Sequence, residues 1–161
     1  MSTISGRSPT VSTPAIGDNV EARLRSLHQI AKSRYAFIDR IAIALYDADL
    51  DLLKTFISSN GASDALVRYE AHLADVPSLR ELATERRSRV VDDIEQRFTA
   101  PTAHTEWLKS QRYRASYTLP VHQGESLIAF LFFDSREIGV FTPEVTEFLD
   151  LFAELAAQLH L

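Results

Sequence analysis

The chain has 161 residues, 45% of them apolar and 24% charged, a balance that suits one globular domain. It contains no cysteine, which excludes thiol catalysis, thioether-linked cofactors, iron–sulfur clusters and cysteine-ligated zinc. A net charge of −5 argues against a nucleic-acid partner, and five scattered glycines form neither a dinucleotide fingerprint nor a phosphate loop.

Residues 1–17 are rich in Ser, Thr, Pro and Gly and bury too little to offset their ordering entropy, so a disordered tail is expected there, with one domain over 18–161. Asp18 and Glu21 have the spacing of a capping box. They open an amphipathic helix in which Val20, Leu24, Leu27, Ile30 and Ala31 recur on one side. In Phe37–Asp47 both alternating faces are apolar, as in a strand covered on both sides. The acidic turn Asp47-Ala48-Asp49 leads to a second strand, Leu52–Ser58, closed by Asn60-Gly61, which together predict a hairpin.

The middle of the chain is less regular. Ser78 is expected to cap a short helix over Leu79–Arg86, Arg89–Asp93 reads as a brief strand, and His104–Gln111 as a further helix. The last third is clearer: strand Ser116–His122, a tight turn at Gln123-Gly124, and the apolar strand Leu127–Asp134. Thr142 then caps a helix with Pro143 in its first turn, where the missing N–H costs nothing. This order predicts an α+β protein built on a mainly antiparallel sheet.

No stretch reaches the ~20 apolar residues of a membrane helix, and no hydrophobic signal core follows Met1, so a cytoplasmic chain without a membrane partner is expected. Five histidines stand apart from one another and from any clustered carboxylates, so no metal site is read. Asp92 and Asp93 are adjacent on a strand and face opposite ways. They cannot converge on one substrate atom; one of them is expected to cap or turn the chain. With no nucleophile elbow either, no catalytic residue is assigned and the chain is read as a non-enzyme.

The strings Asp39-Arg40-Ile41-Ala42-Ile43-Ala44-Leu45-Tyr46-Asp47, Leu53-Lys54-Thr55-Phe56, Arg89-Val90-Val91-Asp92-Asp93, Tyr113-Arg114-Ala115-Ser116-Tyr117-Thr118-Leu119-Pro120, Ala129-Phe130-Leu131-Phe132-Phe133-Asp134-Ser135 and Phe141-Thr142-Pro143-Glu144 occur in that order. In this order and spacing the sequence resembles a GAF domain from about Ala22 onward. It is most similar to those that precede HD-GYP cyclic-di-GMP phosphodiesterase domains in bacterial signalling proteins. Arg112 stands where the family often has glycine, and Ala115 where a serine is common. No His-Asp or Gly-Tyr-Pro string is present, so the phosphodiesterase machinery itself is absent. The resemblance implies a central antiparallel sheet of five or six strands, terminal helices on one face, and a pocket under loops and short helices on the other.

A sensor of a small polar or anionic ligand follows from that resemblance, read with the residues beneath it. Ser116 and Thr118 share one strand face with His122, pointing toward the middle segment, while Tyr117, Leu119 and Val121 point toward the terminal helices. Tyr46, Trp107, Tyr113 and Phe132 are expected to wall the pocket, their plainer alternative being core packing. Residues 80–114 hold eight basic and six acidic side chains; Arg114 enters the hydroxyl-bearing strand and is the chosen anion contact, with His72 completing the set. The cofactor is left open: family members that carry bilin or reduce methionine sulfoxide use a cysteine this chain lacks, and haem would draw on His72 or His104. The terminal stripes also predict a homodimer through Leu24, Leu27, Phe152, Leu155 and Leu159. A ligand-free dimerisation and signal-relay module of a larger bacterial signalling protein is the alternative reading.

Overall fold

The computed structural model describes residues 16–60, 70–100 and 102–158. Helix α1 (Ile16–Arg34) leads into strands β1 (Arg40–Asp47) and β2 (Leu52–Ser58). A two-residue strand, β3 (Ala71–His72), runs through a 3-10 turn at Leu73–Asp75 into helix α2 (Pro77–Glu85). Then come β4 (Arg89–Val91), α3 (Ile94–Arg97), α4 (Ala103–Ser110), β5 (Ala115–Gln123), β6 (Ser126–Ser135) and α5 (Pro143–Gln158). The six strands form one sheet in the order β3-β2-β1-β6-β5-β4, with every pairing antiparallel. This is the expected α+β architecture.

Register decides which residues meet. Ile43 lies opposite Leu131, and Ala44 opposite Phe130, so cross-strand neighbours share a face and successive residues alternate between two cores. Ile41, Ile43, Leu131, Phe133 and Tyr117 pack against Val20 and Leu24 of α1 and Val145, Leu149 and Phe152 of α5. On the reverse face Ala42, Ala44, Phe130 and Phe132 pack against Leu73, Leu79 and Leu82. The small alanines of β1 sit opposite the large phenylalanines of β6, which lets the sheet carry full layers on both sides. Gly124 (φ 60°) makes the tight turn between β5 and β6 in the left-handed conformation that a glycine takes without strain.

Several sequence expectations shift in detail. α1 begins at Ile16, ahead of the expected cap at Asp18. α2 begins at Pro77 rather than after a Ser78 cap, with Val76 in the cap position. Asp93 does cap: its side chain accepts the Glu95 N–H at the start of α3. Residues 1–15, the Leu159 and His160 positions and the turn residue Gly61 lie outside the described residues. Among the described residues no helix is long and apolar enough to cross a membrane.

Phe133 is completely buried between β5, β1 and α5, so Phe133→Ala is expected to lower unfolding stability by about 3–5 kcal/mol, read from urea melts. His28 sets its Nε2 2.7 Å from the Ile38 carbonyl, and burial pushes its pKa below the usual 6.5. Burial, with Arg86 nearby, does the same to His122. Both rings are favoured neutral in the fold, so their contribution is complete above the unfolded value near 6.5 and is lost as pH falls through the folded values. The melting temperature should therefore drop between about pH 7.5 and pH 5, and less so in His28→Gln.

Candidate ligand-binding site

Between the second face of the sheet and the middle elements lies a cavity of about 210 Å³. Leu53 and Phe132 form its floor, and Val76, Ser78 and Leu79, at the start of α2, one wall. The opposite wall is Phe98, just past α3, with Thr102 and Thr105 at the start of α4. Those two threonines cap α4 reciprocally: the Thr105 N–H donates to Thr102 Oγ1 at 3.2 Å, and the Thr102 N–H donates to Thr105 Oγ1 at 3.1 Å. This end of the rim is thus held by reciprocal bonds between backbone N–H groups and threonine hydroxyls.

Arg89 projects into this space from the edge strand β4. It pairs with Thr118, which pairs with Phe132, so all three share the inward face, as does the buried Val91 two residues on. Its guanidinium lies 5.4 Å from the centre of the Phe98 ring. Its Nε is buried without a hydrogen-bond partner, the one such side-chain atom among the described residues. Burial lowers the Arg89 pKa, and the like charges of Arg97 and Arg87 add to that effect.

A second charged group holds α4 in place. Arg40 donates to Asp134 at 2.7 Å, and the two side chains are 1% and 2% exposed. The Arg40 guanidinium also lies 4.8 Å from the Trp107 ring centre. Tyr113 accepts from the Asn60 amide at 3.0 Å, and Arg136 covers its ring at 4.8 Å.

The family model of the GAF domain matches residues 19–159. The chain belongs to the GAF domain family. Its fold is shared by a type II free methionine-R-sulfoxide reductase from Thermoplasma acidophilum (TM-score 0.67, 17% identity, 91% of this chain and 94% of that one). A GAF domain/HD domain protein from Geobacter sulfurreducens aligns with a TM-score of 0.67 at 15% identity, over 89% of this chain and 92% of the other. The GAF domain of a two-component sensor histidine kinase from Bacillus halodurans aligns with a TM-score of 0.68 at 11% identity, over 91% and 94%. No curated protein matches the sequence. GAF domains are in general regulatory modules, although the reductase is an enzyme; the present GAF domain has no cysteine.

The residues chosen from sequence lie in separate parts of this GAF domain, and of the eight only Phe132 lines the cavity. Tyr46 and His72 converge instead on Asp51 at the hairpin end: the Tyr46 hydroxyl donates to its carboxylate at 2.7 Å, and His72 Nδ1 is 3.2 Å from its carbonyl. Burial and the Asp51 carboxylate push Tyr46 up to about 12. Trp107 and Tyr113 pack with Val91, Ile94 and Leu108 as core, the plainer of the two alternatives. Ser116 and Thr118 lie on the inward face but are buried beneath its layer.

Arg114, the expected anion contact, is not in the cavity lining. It ion-pairs with Asp93 at 3.1 Å and Glu95 at 3.6 Å beside α3, because the Ile94 N–H is hydrogen-bonded to the Arg114 carbonyl and brings the two segments together. The haem proposal fits poorly. His72 is exposed at the hairpin, the His104 side chain is outside the described residues, and 210 Å³ is below the ~300–1,000 Å³ of sites for drug-sized molecules. Among the described residues no cluster of three or more His, Asp or Glu could hold a metal ion.

Of the expected dimer residues, Leu24 (2% exposed) and Phe152 (4%) face the sheet as core, and Leu27 is packed against it. Leu155 is 47% exposed. Sequence reasoning counts Arg89 among the candidate arginines Arg80, Arg86, Arg87, Arg89, Arg97, Arg112 and Arg114 but singles out Arg114; of these seven, Arg89 lines the cavity.

The Arg40–Asp134 pair generates a direct test. Asp134→Ala leaves a buried guanidinium without its carboxylate and should cost about 3–5 kcal/mol, whereas Arg40→Met/Asp134→Leu should recover most of that loss. Urea melts followed by Trp107 fluorescence measure both quantities, stability and α4 docking.

Proposed function

We propose that this GAF domain is a non-catalytic sensory module that takes a small polar or anionic ligand into the cavity and transmits its presence through α1 and α5. The cavity carries the reading: it is bounded by short elements on one side and by the sheet on the other. The route outward is short. Phe132 faces the cavity, and its neighbour Phe133 contacts Phe152 of α5 on the opposite face, with ring centres 5.9 Å apart. A ligand biases the terminal helices only to the extent that it binds one arrangement better than the other.

The proposal extends to context. The sequence resemblance and the Geobacter GAF domain/HD domain protein both support a place ahead of an HD-GYP-type output domain in a bacterial signalling protein. The same reading has the domain working in the cytoplasm on a small molecule, with neither nucleic acid nor membrane as partner.

Dimerisation is the second reading, favoured by a specific surface. Leu151 and Leu155 of α5 and Ile30 of α1 are 58%, 47% and 57% exposed, and a groove bounded by Ala22, Leu27 and Leu155 runs between the two helices. Leu159 belongs to the same proposed stripe.

Native mass spectrometry of the purified domain should reveal a copurified small molecule, and a metabolite panel should contain one that stabilises it. At a hundredfold excess over Kd the gain is about 2.7 kcal/mol, roughly 5–10 °C for a domain of this size. Finding no bound molecule and no shift from any panel member would count against sensing. Light scattering on the wild type and Leu155→Asp tests the dimer: a monomer in both removes it.

A further inference from the structure

Arg89 lines the cavity from the edge strand β4. Its Nε is shut off from solvent with nothing to donate to, and no carboxylate among the described residues ion-pairs with it. A half-buried charge without a counter-charge costs free energy, and the Phe98 ring compensates only in part. The charges that bear on it are those of Arg97 and Arg87, both of its own sign. Arg87 is itself engaged by Glu81 and Glu85 on the exposed side, so it draws no acid inward.

The position adds access. Arg89 is the one described residue that lines both the cavity and an open groove of about 530 Å³ along the outer side of β4. Asp92 and Asp93 also line that groove, Asp93 being held by Arg114. The Arg89 side chain is thus common to the linings of the groove and the cavity.

We propose that Arg89 binds the carboxylate of a small monocarboxylic acid whose apolar body packs on Leu53, Leu79, Phe98 and Phe132. This rests on the sensory reading above and names the ligand class for its cavity. A guanidinium presents paired N–H donors that match the two oxygens of a carboxylate. One cation reaches the cavity, and Asp75 in the lining disfavours a second negative charge on the ligand. At 210 Å³ with mostly apolar walls, the space suits a body of a few carbons better than a strongly hydrated phosphate dianion.

Straight-chain carboxylates from butyrate to octanoate serve as the probe at fixed ionic strength and neutral pH, beside their primary amides and inorganic phosphate. Carboxylates should raise the melting temperature by several degrees at millimolar concentration, with amides and phosphate at least tenfold weaker. Arg89→Met should remove that preference while melting no lower than wild type without ligand, since an uncompensated charge is gone. In the unaltered protein the Arg89 Nε–H resonance should shift downfield with hexanoate and stay in place with hexanamide, which keeps the test independent of how the variant folds. Equal binding of amides, a better response to phosphate, or failure of the whole carboxylate series would each overturn the assignment. A copurified neutral molecule in the cavity would overturn it too, yet leave the sensory reading standing.

Discussion

A guanidinium and a carboxylate buried side by side determine where the middle of this chain comes to rest. Arg40 and Asp134 are register partners on the two central strands, and both side chains emerge on the face opposite α1 and α5. The indole of Trp107 settles over the guanidinium, while Tyr113 is fixed by Asn60 and covered by Arg136. α4 is thereby tied to one place on the sheet, and the cavity begins where α4 begins, at Thr102 and Thr105. A buried ion pair adds little net stability over an apolar pair of equal volume. What it supplies here is position: a greasy α4 could slide along the phenylalanines of β6, whereas one seated on a fixed charge cannot.

The sheet itself separates the two duties of the domain. Successive side chains of β6 alternate between the helix layer and the cavity layer, so Phe132 and Phe133 report to different sides across a single peptide unit. Both layers are packed, which leaves little slack for one strand to move without the other side registering it. Tyr117 adds a polar link on the helix side, its hydroxyl donating to Asp150 of α5, and burial and that carboxylate hold its proton well above the ordinary phenol range.

Much of this was legible in the residue pattern. The doubly apolar runs of β1 and β6, the alternation of β5 and the Thr142-Pro143 start of α5 are strong local signals, and each element appears within a few residues of its expected limits. β3 and α3, of two and four residues, carry no periodicity of their own and exist through pairing with distant segments. The same cause explains Arg114. Its partner Asp93 is twenty-one positions away, and no local pattern brings the two together. The stripes of Leu24 and Phe152 suggest a dimer interface, but an apolar stripe does not say which neighbour it faces, and both side chains pack on the sheet. Arg89 carried a usable signal in its spacing from Val91, but it was one arginine among several in a charge-rich stretch.

The apolar run of β6 has a consequence beyond its packing. Leu127 to Phe133 is seven residues without a charge, a proline or a glycine, and in the native sheet it is shielded on both edges by β1 and β5. Released by unfolding, such a segment is well suited to stack with copies of itself into cross-β aggregates. Glu125 and Asp134 flank it as acidic gatekeepers, and Asp134 can repel like neighbours only once it has parted from Arg40. The persistence of this domain is therefore governed by how rarely its central strand is uncovered, a matter of unfolding rate as much as of equilibrium.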